Sequence, residues 1–326
     1  MKYRTAYKRA KSSNKKDVKV VRRISKGKRV AINQLNVNAA IAKVKQAVSW
    51  LKAKSGFKIL IMQTCNLGDT LHITPIAKHY KTVYPNCTLA FIVGDSYYEV
   101  HANNEDFDQI FTIKASLTGQ ERILVGQYLV SNSVGIDKVL CPSIFPFGEI
   151  WDTHKWCHEV ISHQYWHNAE IRPPSSIKGD KKLKAPVTEQ DKQFADEFIG
   201  NRKCIALEYH SYSHPVPWKV DQFVRFVNLV KKKGYECISF AGKNEGMIPG
   251  TIDARGMSWR RTIAVIAKCD CMVGIGSGIT MLACCSRPIP KIIELNVSPS
   301  ISMNACGYAD SIAVSNANPD KVAEMI

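Results

Sequence analysis

Phe57-Lys-Ile-Leu-Ile-Met62 runs, after one intervening residue, into Thr64-Cys-Asn-Leu-Gly-Asp-Thr70. The first segment is short and almost continuously apolar, the pattern of a strand buried on both faces of a parallel sheet. The second is a glycine-bearing loop that predicts a helix starting near Thr70. Strand, glycine loop and helix form the first unit of a doubly wound α/β domain, and the alternation repeats downstream. Further strands are predicted at Thr88–Val93, Gln109–Ile113 and Asp137–Cys141. Upstream, Asn38 is predicted to cap an amphipathic helix over about 38–55, with Ile41, Val44, Val48 and Leu51 on one face and Gly56 closing it.

A second alternating series follows. Strands are predicted at Lys203–Leu207, Glu236–Phe240, Cys271–Gly274 and Lys291–Leu295, with helices at Val220–Lys233, Trp259–Lys268 and Ser277–Cys285. Between the two series, residues 171–187 are rich in Pro, Ser and Lys without periodicity, and are predicted to be an interdomain linker. The expected organisation is a basic arm over 1–30, an N-terminal Rossmann-like domain over 31–175 and a C-terminal one over 186–326, facing a cleft.

Charge sharpens that division. The 326 residues carry a formal net charge of +17. Residues 1–29 hold 13 Lys and Arg against the single acid Asp17, a net of +12, which leaves +5 for the rest. Arg22, Arg23, Lys28 and Arg29 in this arm are candidate polyanion contacts. The arm has no continuous apolar stretch, so it is not read as a secretory signal, and it lacks the apolar face of a membrane-inserting helix. The longest apolar region, 263–285, is broken by Lys268, Asp270 and glycines, so no transmembrane segment is expected. Eleven cysteines with no C-x-x-C pair predict reduced, mostly buried thiols in a cytoplasmic setting.

Leu67-Gly68-Asp69-Thr70-Leu71-His72-Ile73-Thr74-Pro75, then Tyr84-Pro85 and Leu89-Ala-Phe-Ile-Val-Gly94, resemble glycosyltransferase family 9, the heptosyltransferase family. In the second series the resemblance continues through Ala241-Gly242-Lys-Asn-Glu245, Asp253-Ala-Arg-Gly256 and Cys271-Met-Val-Gly-Ile-Gly-Ser-Gly278, in family order. It covers roughly 57–113 and 203–296. The resemblance implies a GT-B architecture, with the acceptor gripped mainly by the first domain and a nucleotide-sugar by the second. It also implies inversion at the anomeric carbon without a metal or other cofactor.

Asp69 is the residue the resemblance marks as catalytic base; the physical alternative is a helix cap. Gly68 is expected to allow a tight turn, and His72, Thr74 and His158 to lie on the acceptor side. Gly242, Glu245, Ser277, Gly278 and Lys219 are the expected donor contacts, Glu245 through the ribose hydroxyls; a surface acid at Glu245 and a solvated helix-start lysine at Lys219 are the alternatives. The sequence also departs from the family pattern. Gly276 stands where the family has Asp, and Met281 where it has His. Near the K-x-W-P element only Trp218 matches, with the positive charge moved from position 216, here Val, to Lys219. These changes make ADP-heptose doubtful as donor.

His154, His158, His163 and His167 form two pairs at helical spacing, but the pairs fall on different azimuths, and no metal is expected. Three acceptor readings stay open. A saccharide or glycolipid leads; the alternatives are modified DNA, with Arg260 and Arg261 helping the arm, and a catalytically degenerate nucleic-acid-binding or assembly subunit.

Overall fold

The computed structural model describes residues 32–141, 182–211, 215–296, 311–315 and 318–326. The basic arm, the 154–167 histidines and most of the expected linker therefore lie outside the described residues. Residues 33–326 form one compact unit that contains two parallel sheets.

The chain enters through α1 (Gln34–Lys52), capped by Asn33, whose side chain accepts from the Leu35 and Asn36 amides. The predicted cap at Asn38 is five residues too late. Val37 and Ala40 continue the buried stripe backwards, and Asn33 satisfies the free first-turn amides. The helix ends at Lys52 with Ala53 as its C-cap, so Gly56, at φ +77, turns the chain beyond the helix and does not close it.

The first sheet has the order β3-β2-β1-β4: β1 (Lys58–Gln63), β2 (Thr88–Gly94), β3 (Gln109–Ile113) and β4 (Lys138–Leu140). All its pairings are parallel, with Ile59 opposite Leu89 and Lys138. Ile59, Leu60, Ile61 and Met62 are fully buried, as a central strand covered on both faces demands. Each such side chain contributes roughly 1.5–3 kcal/mol of burial. After β1 the chain forms α2 (Leu67–Leu71) and, beyond His72, α3 (Ile73–Val83). After β2 come a 3₁₀ turn and α4 (Tyr98–His101), and after β3 comes α5 (Gly119–Asn132).

The second sheet has the order β10-β9-β8-β5-β6-β7. Its strands are β5 (Cys204–Glu208), β6 (Glu236–Phe240), β7 (Ile252–Asp253), β8 (Cys271–Gly274), β9 (Lys291–Asn296) and β10 (Ser311–Ser315). Read from β5, this is the Rossmann strand order. Its helices are α6 (Glu189–Ile199), α7 (Val220–Lys231), α8 (Trp259–Ile266), α9 (Gly278–Cys285) and α10 (Pro319–Glu324).

The two halves are joined by packing as well as by chain. Leu67, Leu71 and Val100 of the first half share one buried cluster with Ile263, Met281 and Leu282 of the second. Glu99 accepts from the backbone amides of Trp259 (3.2 Å) and Arg260 (3.3 Å), capping α8 from the opposite half. The Trp259 indole donates to Ser96 O at 2.8 Å and the Arg260 guanidinium to Ala102 O at 2.6 Å. Arg260 is a half-buried anchor between the halves, and the exposed Arg261 lies over the Phe194 ring at 4.4 Å. The described end of the expected linker is also packed: Leu183 and Ala185 are buried, and the Lys184 amide donates to Thr74 Oγ1 at 3.0 Å.

Nine cysteines among the described residues are free, and all but Cys65 are buried. Burial pushes the Cys141, Cys237, Cys271 and Cys285 thiols up to about 12. No helix among the described residues is long and apolar enough to cross a membrane.

Because Glu99 accepts from the Trp259 and Arg260 amides, which the Ser258 cap on Arg261 leaves free, Glu99→Ala is expected to cost roughly 1–2 kcal/mol, read as a lowered urea midpoint.

Candidate functional site

In open α/β sheets the ligand crevice lies beyond the carboxyl ends of the strands, where strand order reverses. In the first sheet that point is at β1, between β2 and β4; in the second it is at β5, between β6 and β8. The loops leaving β1, β5 and β8 therefore define the candidate site: Thr64–Asp69, Tyr209–Ser211 and Ile275–Gly278.

These loops meet through two glycines. A Cβ on Gly68 would sit 3.2 Å from Met281 Cγ, and one on Gly278 would sit 3.3 Å from the Leu67 side chain. Helix α2 of one half thus rests on the start of α9 in the other. Gly68 is helical and not at positive φ, so the expected tight turn is absent. What position 68 requires is close approach between helices.

Asp69 stands in the first turn of α2, not before it. Its carboxylate accepts a hydrogen bond from the Asn66 amide, one half of a capping arrangement, while Asn66 itself makes no side-chain cap bond. The capping alternative is therefore partly real. Burial nevertheless dominates the electrostatics and pushes the Asp69 carboxyl up to about 6, against the Asn66 hydrogen bond and the positive charge of Arg122. Arg122, from the first turn of α5, donates to Cys65 Sγ at 3.2 Å, and its Nε is buried without a partner. Tyr97 closes the same cluster; burial raises its hydroxyl, with Arg122 opposing and Asp69 adding to the rise.

The acceptor-side candidates separate. His72 is buried at the junction of α2 and α3. Thr74 is buried too, donating to Leu71 O at 2.8 Å and accepting from Lys184, so it pins two segments together. Thr70 receives the buried His101 Nε2 at 3.0 Å, and burial drives that ring down to about 3, which keeps it neutral. His158 lies outside the described residues.

On the donor side, Glu245 follows the Gly242 turn, and its carboxylate lies 3.3 Å from His210 Nε2 beyond β5. The Glu245 carbonyl is held by the Arg255 guanidinium, which also grips Asp253 through two bonds of 2.8 Å. Gly256, at φ +69, presses on Lys243, where a Cβ would fall 2.8 Å from the Lys243 Cβ. Tyr209 is buried, with its hydroxyl unpartnered. Lys219 is the exposed first residue before α7, where its amide donates to Gln222 Oε1. Trp218 is a core residue, 5.2 Å from the Phe223 ring.

Ser277 and Gly278 do stand at the start of α9, but the Ser277 hydroxyl is committed. It donates to Glu208, the last residue of β5, which sequence reading passed over. Glu208 is fully buried and also accepts from the Ile275 amide (3.2 Å), the Ile279 amide (3.1 Å) and Thr280 Oγ1 (2.6 Å). Burial raises its carboxyl, and these four donors pull it back. The available signal was an acid ending a strand of otherwise apolar residues, Cys204-Ile-Ala-Leu-Glu208.

Two parallel Rossmann-like sheets joined in one unit have counterparts among solved structures. A family 9 glycosyltransferase from Veillonella parvula aligns over 79% of this chain and 86% of its own, with a TM-score of 0.58 at 14% identity. The E. coli ADP-heptose lipopolysaccharide heptosyltransferase II aligns over 82% and 97%, with a TM-score of 0.59 at 12% identity. The fold is GT-B. The iron-containing dodecameric glycosyltransferase TibC from enterotoxigenic E. coli shares it more distantly (TM-score 0.52, 11% identity, 81% of this chain and 64% of that one). No family model and no curated protein matches the chain in sequence. Within the GT-B frame, Asp69 is on the first half, and Glu245 and Ser277 are on the second. Among the described residues no three His, Cys, Asp or Glu side chains converge as a metal site.

Asp69 carries a stability signature. Its folded value near 6 lies above the unfolded value near 3.8, so the native state holds the extra proton between these values. Its stabilising contribution is present below about 3.8 and is lost as pH rises through about 6. Asp69→Asn is thus expected to raise stability at pH 8 by roughly 1–2 kcal/mol after allowance for solvent screening, and not at pH 4, in paired denaturation curves.

Proposed function

We propose that this chain is an inverting glycosyltransferase that moves a sugar from a nucleotide-sugar to an acceptor hydroxyl, with Asp69 as general base. The observation that carries the reading is the position of Asp69. A carboxyl raised to about 6 lies on a helix that rests directly on the start of α9, where the two GT-B switch points meet. In one displacement, the acceptor oxygen attacks the anomeric carbon, the bond to the leaving nucleoside diphosphate breaks, and Asp69 takes the hydroxyl proton. A base with a value near 6 is ionised at neutral pH and more basic than an ordinary carboxylate, which suits that task. The Asn66 hydrogen bond and the Arg122 charge keep Asp69 from rising further and losing its charge.

On the donor side, Glu245 is suited to the ribose, because a carboxylate accepts from two vicinal hydroxyls, and the Gly242 turn and Arg255 hold it in place. The proposed transfer uses neither metal nor organic cofactor. A saccharide or glycolipid is the leading acceptor, on the likeness of the fold to the heptosyltransferase structures. A second acceptor class, modified duplex DNA, is favoured by one observation, the +12 carried by the first 29 residues. Either acceptor is consistent with work in the cytoplasm, at a membrane face or on nucleic acid.

A panel of nucleotide-sugars with transfer readout, with and without hydroxymethylated duplex DNA, tests the reading. Asp69→Asn is expected to lose roughly 10²–10⁴ in rate while its thermal unfolding stays cooperative; retained transfer removes Asp69 from the role. The wild-type rate is expected to rise with pH through about 6 and then level, since the base works deprotonated. Arg122→Met is expected to move that limb to higher pH, because the guanidinium favours the ionised carboxylate. If DNA is the acceptor, affinity is expected to fall by roughly 10³–10⁵ between about 50 and 200 mM salt for six to ten phosphate contacts.

A further inference from the structure

Glu208 has no part in the transfer scheme, yet it is the most completely engaged side chain at the site. All four of its donors come from one short segment, 275–280. Oε1 accepts from the Ser277 hydroxyl and the Ile279 amide; Oε2 accepts from the Ile275 amide and the Thr280 hydroxyl. The segment is built around this carboxylate. A Cβ at Gly274 would collide with Thr280 Oγ1 and lie 3.4 Å from Glu208 Oε2, and Gly276 turns the chain at φ +69.

A glycine turn leading into a helix is a backbone arrangement that accepts phosphate, because its first amides lack intrahelical partners and the helix dipole favours an anion. At α9 that place is already taken by a carboxyl group of the chain itself. The sequence change at the same loop points the same way: the side chain at 276 is gone, and the space under the turn is filled from β5.

We propose that Glu208 is an internal substitute for a ligand phosphate at the start of α9 and that it determines donor specificity. It closes this helix start to the donor's diphosphate. Recognition then rests on the nucleoside, through the Glu245–His210 side of the site, with the diphosphate held off the α9 amides. A second anion placed on the same amides meets a like charge and finds the Ser277, Ile275, Ile279 and Thr280 donors occupied. The word donor rests on the glycosyl-transfer reading; the closed anion site does not.

The test is calorimetric titration of the full-length chain with inorganic pyrophosphate and with ADP, at about 0.15 M salt. Wild type is compared with Glu208→Gln, which keeps the size and removes the charge. Thermal melts establish that both are folded. The arm is common to both proteins, so its contribution to anion binding cancels in the ratio. Glu208→Gln is expected to bind both probes at least about tenfold more tightly. A folded Glu208→Gln protein that binds them no more tightly than wild type overturns the proposal. Should that variant not fold, Ser277→Ala decides. A hydroxyl committed to Glu208 contributes nothing to the ligand, so affinity for ADP is expected to change less than about twofold, and a tenfold loss overturns the proposal. Neither titration needs turnover, so a failed transfer assay and a failed Glu208 comparison are separate results.

Discussion

The site depends on two helices from different sheets touching where neither has a side chain in the way. Gly68 lets Met281 approach α2, and Gly278 lets Leu67 approach α9. Everything else at the site is referred to that contact. It sets Asp69 beside the second half, buries Leu67 and Leu71 in the second half's core, and brings the loops after β1 and β8 to one place. The Glu99 cap on α8 and the Trp259 and Arg260 bonds lock the same relation a short distance away.

Burial around that contact has opposite effects on two carboxyls. Asp69 has one amide and a nearby guanidinium against the cost of desolvation, and its value ends near 6, in a range useful for proton transfer. Glu208 is more deeply buried but is surrounded by four donors, which suits it to hold a loop instead of exchanging a proton with a substrate. The first is held at a stability cost above about pH 6, and the second ties down the 275–280 segment. Two acids in one crevice are thus separated by how many donors each one is given.

Much of the architecture was legible in the sequence because its strands are buried on both faces. Lys58–Gln63, Thr88–Gly94, Glu236–Phe240 and Cys271–Gly274 stand out as short apolar runs, and helix α8 was placed from the alternation of strand and helix. Helix α1 was started late because Asn33 and Asn38 are equally good caps by type, and only packing of Val37 against the core distinguishes them. Helix α5 was missed because its apolar residues do not form a clean stripe; Ile123 and Val130 face solvent. Strand β7 is two residues long, too short to carry a pattern.

For the site, the sequence alone determined the identity and order of the loops, the placement of Asp69 after the first strand and the presence of Gly276 and Met281 where the pattern it resembles has Asp and His. Local alternation and the resemblance to family 9 both follow from neighbours in the chain, so both could be read there. The tertiary structure alone decided what those loops touch. Gly68 serves a helix contact and not a turn, Arg260 reaches across to the Ala102 carbonyl, and Ser277 is held by an acid 69 positions earlier in the chain. Such contacts join residues far apart in sequence, and their energies depend on desolvation and on donor geometry. Neither quantity exists until both sheets have folded and met.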